Sequence, residues 1–184
     1  MKLLACPKCH QQLHLENKTL KCENNHCYDI SKRGYINLLL NPDKATNNPG
    51  DSKESLVARK AYLNKGYYDP ILNQVITCID EFKHQDDLSI LDLGCGEGYY
   101  TQGLKKHFEN SDIYGLDISK IAIDMATRYR KDVTWLVGNS KNIPILDHSL
   151  DFICALFTVV NQDELKRALK EDGYIVHVTA NNQH

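Results

Sequence analysis

No stretch of apolar residues in the 184-residue sequence is long enough to cross a bilayer. The opening residues, Met1-Lys2-Leu3-Leu4-Ala5, lack the apolar core of a secretory signal. These absences argue against a helical membrane protein and point to the cytoplasm, where thiols stay reduced. Internal repeats and low-complexity tracts are also missing, which sets repeat architectures aside. Net charge is nearly absent at -2. It is unevenly spread, however: residues 1–60 hold ten Lys and Arg against six Asp and Glu, and the rest hold twelve against eighteen. A polyanionic partner would therefore meet the N-terminal part, unless the lysines are simply a solvated surface.

The length allows one core of ordinary size with a small appendage. Seven cysteines in a reducing compartment indicate metal ligation, packing or chemistry rather than disulfides. Cys6-x-x-Cys9 is followed after twelve residues by Cys22-x-x-x-His26, with Cys27 as an alternative fourth donor. Two pairs of soft ligands joined by a hairpin suit a tetrahedral zinc site. Four protein ligands leave no open position, so the zinc would be structural and would fold a segment too small and polar to fold alone. Other readings of Cys6-Pro7-Lys8-Cys9-His10 are a c-type haem attachment, a redox pair or plain buried thiols. The first needs an export signal and the second an adjoining βαβ unit, and neither is present.

A Pro-, Gly- and Asn-containing linker over 41–50 separates this segment from the remainder. Asp51 and Glu54 stand as N-cap and capping-box residues before a helix carrying Leu56, Val57, Ala61 and Leu63. A second helix is expected over 69–82, with Ile71, Leu72, Val75, Ile76 and Ile79 on one face. From Leu88 onward, short apolar strands alternate with helices. Strands are expected over 89–93, 112–116, 133–137, 150–156 and 174–178, and helices over 99–107, 119–129 and 163–170. That alternation predicts an α/β fold with a parallel sheet.

The first of these strands runs into Leu93-Gly94-Cys95-Gly96-Glu97-Gly98 and then a helix. A Gly-rich turn there brings helix N-terminal amides to a ligand at the carboxyl edge of the sheet. The dinucleotide fingerprint would place its third glycine at position 99, which is Tyr99. Asp92 can anchor the loop and face a cationic cofactor. Asp117, at the end of the next strand, can accept ribose hydroxyls. S-adenosylmethionine (SAM) carries an ammonium and a sulfonium and no phosphate, so an acidic loop with Asp92 and Glu97 suits it. The candidate cofactor residues read in this way are Asp92, Gly94, Gly96, Glu97, Gly98 and Asp117.

The ordered set Cys6-Pro7-x-Cys9, Cys22-x-x-x-His26, Gly34-Tyr35-Ile36-Asn37-Leu38-Leu39, Pro49-Gly50-Asp51-Ser52, Ala58-Arg59, Gly66-Tyr67-Tyr68 and Asp92 to Thr101 resembles the RlmA family. Those enzymes are 23S rRNA guanine-N1-methyltransferases, and the resemblance runs along the whole chain. It implies a Rossmann-like class I SAM-methyltransferase sheet with a small N-terminal zinc-binding domain that helps recognise an rRNA hairpin. It implies a zinc-binding domain over 1–40, a linker and helices over 41–87, and a SAM-binding domain over 88–184. It assigns Cys6, Cys9, Cys22 and His26 as zinc ligands, passing over Cys27, and Tyr68, Gly96, Glu97 and His184 as SAM contacts.

Two segments depart from the family. Leu156-Phe157-Thr158-Val159-Val160-Asn161 lacks the usual proline, and Glu171-Asp172-Gly173 replaces Pro-Gly-Gly. The family continues for a further third of its length beyond His184. The resemblance therefore implies an expressed fragment or truncated gene product, with an incomplete sheet and an exposed fifth strand that favours pairing with another chain, a homodimer included. A noncatalytic SAM- and RNA-binding fragment is one alternative function. A small-molecule SAM methyltransferase is another, though it would have no use for a zinc module and a basic front end.

Methyl transfer to guanine N1 requires removal of the N1 proton, and no residue is identified as the base. Asp151 is nearest by position, although a solvated strand-edge carboxylate is the simpler reading. For RNA, Lys8, Lys32, Arg33, Lys44, Arg59 and Lys60 are candidates for phosphate contact and Tyr35 for base stacking.

Overall fold

The computed structural model describes residues 1–40 and 51–180. The linker read over 41–50 and the cofactor candidate His184 lie outside these residues. Three short strands, β1 (His14–Glu16), β2 (Thr19–Lys21) and β3 (Cys27–Asp29), form an antiparallel ribbon in that order. The main sheet has six strands: β4 (Ile36–Asn37), β5 (Ser89–Leu93), β6 (Asp112–Asp117), β7 (Thr134–Val137), β8 (Leu150–Leu156) and β9 (Leu169–Val178). All pair in parallel, in the order β4-β7-β6-β5-β8-β9. Among the described residues five helices complete the fold: α1 (Lys53–Leu63), α2 (Asp69–Phe82), α3 (Tyr99–His107), α4 (Lys120–Ala126) and α5 (Gln162–Ala168). No helix among the described residues is long and apolar enough to cross a membrane.

Several boundaries differ from the sequence expectation, each for a local reason. Ser52, not Asp51, caps α1. Its backbone is extended and its Oγ accepts from the Ser55 amide at 3.2 Å. Asp51 instead pairs with Arg59. Helix α4 stops at Ala126 rather than 129, because the amides of Arg128 and Tyr129 tighten onto the carbonyls three residues back. Strand β9 begins at Leu169, five residues earlier than expected. Leu169 is buried opposite Leu150, and a register shift carries the polar Lys170–Gly173 stretch as an irregularity within the strand. Strand β4 was not anticipated, since two residues leave no periodicity to read.

Both faces of the sheet are covered. On one, Val75 and Ile79 of α2, Leu104 of α3 and Ile123 of α4 pack with Ile90, Ile113 and Trp135. On the other, Leu165 and Ala168 of α5 share a core with the ribbon: Leu4, Leu13, Leu20, Ile36 and Leu38 meet Leu93, Leu116, Leu136, Ile145 and Ile153. Main-chain bonds seal this seam. Ala5 donates to the Pro144 carbonyl at 3.0 Å, Leu146 to Leu3 at 2.9 Å and Leu38 to Val137 at 2.8 Å. The ribbon segment and the sheet therefore bury their apolar side chains together.

The shared core makes a prediction. Leu4 is fully buried, so Leu4→Ala should cost about 2–5 kcal/mol. Trp135, the single tryptophan, reports on the sheet in urea unfolding. Its midpoint should fall although the substitution lies in the ribbon. An unchanged midpoint would show that the two parts are energetically separate.

Candidate functional site

Two sites emerge. The first is at the ribbon. The ligand atoms of Cys6, Cys9, Cys22 and His26 all lie within 4.8 Å of one another. Cys9 Sγ and Cys22 Sγ are 3.7 Å apart, and His26 Nδ1 is 3.4, 3.5 and 3.4 Å from Cys6, Cys9 and Cys22. A tetrahedron with Zn–S near 2.3 Å and Zn–N near 2.0–2.1 Å has S···S edges of about 3.8 Å and S···N edges of about 3.5 Å. The donor set and its spacing thus fit zinc with four protein ligands. The Tyr28 hydroxyl sits 3.2 Å from Cys6 Sγ, where it can donate to a thiolate. Cys27 is exposed and turned toward the Asn25 carbonyl, away from the cluster. The adjacent β-ribbon turns, with Asn25 at φ 61°, bring the Cys22–His26 pair back over Cys6.

The second site is the Gly-rich loop. It is lashed to the end of β6, since the Gly94 and Cys95 amides both donate to the Leu116 carbonyl at 2.8 and 3.0 Å. Asp117 holds the next turn. Its two carboxylate oxygens accept from the amides of Gly96 at 2.9 Å and Ser119 at 2.7 Å. Gly96 has φ +55°, and a Cβ there would point into open space, 3.9 Å from Arg59. Gly98 has φ +84°, and its Cβ would meet the Trp135 ring at 2.6 Å. Gly96 thus leaves a ligand room, whereas Gly98 lets α3 pack on the sheet.

A cavity of about 290 Å³ opens in front of this loop. Gly94, Gly96 and Glu97 form one wall, Arg59 and Tyr62 of α1 form the roof, and Tyr68, Tyr100 and Phe157 form the rim. Glu97 Oε1 is buried with no hydrogen-bond partner among the described residues, and burial pushes its carboxyl above the usual range. The Tyr68 and Phe157 rings meet edge-on, 6.1 Å apart. Phe157 adopts φ 57°, a conformation rare for a bulky residue.

Not every expected residue faces the cavity. Asp92, 1% exposed, turns inward and accepts from the Thr101 hydroxyl, so it anchors the loop to α3 rather than lining the space. Gly98 packs on Trp135 instead, and the half-buried Asp117 holds the loop through the Gly96 and Ser119 amides without lining the cavity. Asp151 lies at the opposite, amino-terminal end of the strands, held by the Ser89 amide at 2.8 Å and Lys170 Nζ at 2.7 Å, and is no candidate for the base. Tyr35 is buried in the core and cannot stack on a base. Lys60 lies over the Tyr129 ring at 3.3 Å, and Lys44 falls outside the described residues. Sequence reading placed Arg59 among RNA contacts and missed Tyr62 and Phe157. Arg59 and Tyr62 are three residues apart on one helix face, a spacing that gains meaning only once α1 lies across the loop.

Comparison with known proteins agrees with this layout. Residues 90–173 match the methyltransferase domain family, and residues 4–45 match the family described as RlmA, N-terminal. The chain is 28% identical over its whole length to a 23S rRNA (guanine(748)-N(1))-methyltransferase of Streptomyces fradiae, covering 65% of that protein. It is 30% identical over 96% of its length to a putative 23S rRNA (guanine-N(1)-)-methyltransferase of Bacillus subtilis strain 168, covering 64% of it. It therefore spans just under two thirds of each of these curated relatives. Among solved structures, a putative SAM-dependent methyltransferase from Methanococcus maripaludis shares the fold at TM-score 0.56 and 23% identity, over 70% of this chain and 67% of that one.

Two predictions arise here. Cys27→Ser should retain one zinc per chain and His26→Ala should lose it, as measured by elemental analysis of purified protein. Burial, with added repulsion from Asp117 and Glu97, raises the Asp92 pKa to about 7. An acid whose folded pKa lies above its unfolded value of about 3.9 weakens the fold as pH rises between the two, and no further above the higher one. Asp92→Asn should therefore gain in thermal midpoint relative to the wild type between about pH 4 and pH 7. A constant difference across that window would show that Asp92 is charged in the folded state.

Proposed function

We propose that the chain, in which a segment matching the family described as RlmA, N-terminal leads into a methyltransferase domain, transfers a methyl group from SAM to N1 of a guanine in a 23S rRNA hairpin. The observation that carries the cofactor reading is the Gly96–Glu97 wall. There a ligand-sized space, free of any Cβ, adjoins a buried carboxylate oxygen with no partner. Glu97 would hold the SAM ammonium through its buried Oε1. Asp117 uses two lone-pair positions on the loop and has others for ribose hydroxyls. Tyr68 packs at the cofactor's edge. The proposed division is a zinc-binding, RNA-recognising domain over 1–40, a linker and helices flanking the cofactor site over 41–87, and a SAM-binding part over 88–184.

SAM, when bound, supplies an electrophilic methyl on a sulfonium. The chain's own part is alignment and exclusion of water. The loop fixes one end of the cofactor, α1 roofs it, and Phe157 and Tyr68 present ring faces and edges at the mouth, where an unpaired base must enter to expose its Watson–Crick edge. The ribbon places a basic surface beside the sheet for the RNA. The unpaired outer edge of β9 among the described residues supports association with a second copy, and the chemistry belongs in the cytoplasm, where ribosomes are.

Primer extension tests the reading. 23S rRNA incubated with the chain and SAM should show a reverse-transcription arrest at one guanine. No arrest that depends on both protein and SAM would overturn it. Gly96→Val places a branched side chain in the cavity at a left-handed backbone position, and should weaken SAM binding about tenfold or more by calorimetry while zinc content stays at one per chain.

A further inference from the structure

A second cavity among the described residues is larger than the cofactor pocket. It is a groove of about 610 Å³ between the ribbon and the α4–β7 connection, and its walls carry Lys18, Lys32, Arg33, Arg128, Arg130 and Lys131. The first three come from the ribbon segment and the last three from the methyltransferase part. Among the described residues no carboxylate lines it. Asp124 pairs from outside with Arg33 at 2.8 Å and Arg128 at 3.3 Å, and Asp132 pairs with Arg130 at 2.7 Å. These ion pairs orient the guanidinium groups. Among the described residues Lys18, Lys32 and Lys131 form no ion pair, and all three are exposed. The whole chain is acidic by two charges, yet this groove concentrates six cations. Asp124 and Asp132 offset part of this charge, and the three unpaired lysines leave the groove net positive and open to an anion.

Position sharpens the argument. Residues 30–34 precede β4 and residues 127–133 precede β7, so in a parallel sheet the groove lies at the amino-terminal edge. The Gly96 cavity lies at the carboxyl edge, after β5 and β8. The groove is therefore too far round the sheet to serve the cofactor. Its cations come from two separate parts of the chain, so a ligand that engages them all must bridge the ribbon segment and the α4–β7 connection, as a length of polyanion can.

We infer that this groove binds the sugar-phosphate backbone of the RNA substrate at a second contact remote from methyl transfer. The inference rests on the RNA reading above. In this arrangement the ribbon and the α4–β7 connection grip one stretch of backbone jointly, and another part of the same RNA reaches the cofactor pocket. Such contacts position the RNA and read no sequence.

The test compares two triple variants of equal charge. Lys18→Gln, Lys32→Gln and Lys131→Gln remove the free groove cations. Lys106→Gln, Lys141→Gln and Lys166→Gln remove three exposed lysines elsewhere. Filter binding of in vitro transcribed 23S rRNA is measured from about 50 to 200 mM KCl, after confirming one zinc per chain and an unchanged thermal midpoint. The groove triple should lose at least about tenfold in affinity at the lowest salt and about two units of salt slope, while the outside triple changes neither. Equal effects of the two triples, or none from the groove triple, would overturn the groove while the RNA reading stands, because the wild type still binds. Failure of the wild type to bind RNA would instead overturn the RNA reading itself. Calorimetry with inorganic phosphate should show no saturable binding; saturable binding there, lost in the groove triple, would reassign the groove to a small anion.

Discussion

A parallel sheet has two apolar faces and must cover both. In this chain helices α2, α3 and α4 cover one, but α5 alone cannot cover the other. The ribbon supplies the rest, and it too has nothing to bury its leucines against except that face. Leu4, Leu20 and Ile36 on one side and Leu116, Leu136 and Ile145 on the other are each buried only because the opposite part is present. Every higher feature depends on this mutual covering. It brings Gly34 and Lys32 beside the α4–β7 connection, and it fixes the ribbon's orientation relative to the cofactor cavity. Zinc binding acts on the same core, because Cys6 and Cys22 are members of it as well as ligands.

Electrostatics within the Gly-rich loop follow a related logic. Asp92, Glu97 and Asp117 lie within one small volume, and burial raises all three carboxyls above their ordinary range. Two of them have structural partners: the Thr101 hydroxyl for Asp92 and two backbone amides for Asp117. Glu97 alone keeps a buried oxygen without one. A loop that was merely structural would gain nothing from a buried carboxylate left in that condition. The cationic groups nearby, Arg59 and Lys60, lower the Glu97 pKa but form no hydrogen bond with it.

Much of this was legible in the residues. The alternation of strands and helices after Leu88 located all five sheet strands of that region, because each apolar run was short and bounded. The ligand quartet was legible because zinc imposes spacing on sequence. What escaped was whatever depends on contacts made far along the chain. Two residues of β4 carry no pattern of their own. The start of β9 at Leu169 follows from the burial of Leu150, not from any local signal. Asp92 was expected both to anchor the loop and to face the cofactor; its sequence position cannot say which way the side chain turns, and the Thr101 hydroxyl draws it to the anchoring role. The roof of the cavity was likewise invisible, since Arg59 and Tyr62 become neighbours of Gly96 only by tertiary packing.

Strand β4 also carries a kinetic consequence. Ile36 pairs with Leu136, and Asn37 with Val137, so the edge of the sheet joins segments a hundred residues apart. Loop closure on that scale is costly and slow relative to local structure. During synthesis the ribbon emerges long before the strand it must pair with. The hairpins of β1–β3 and the Cys6, Cys9, Cys22 and His26 cluster are local enough to form first, so the ribbon can take shape around zinc while the surface that will cover its leucines is still being made.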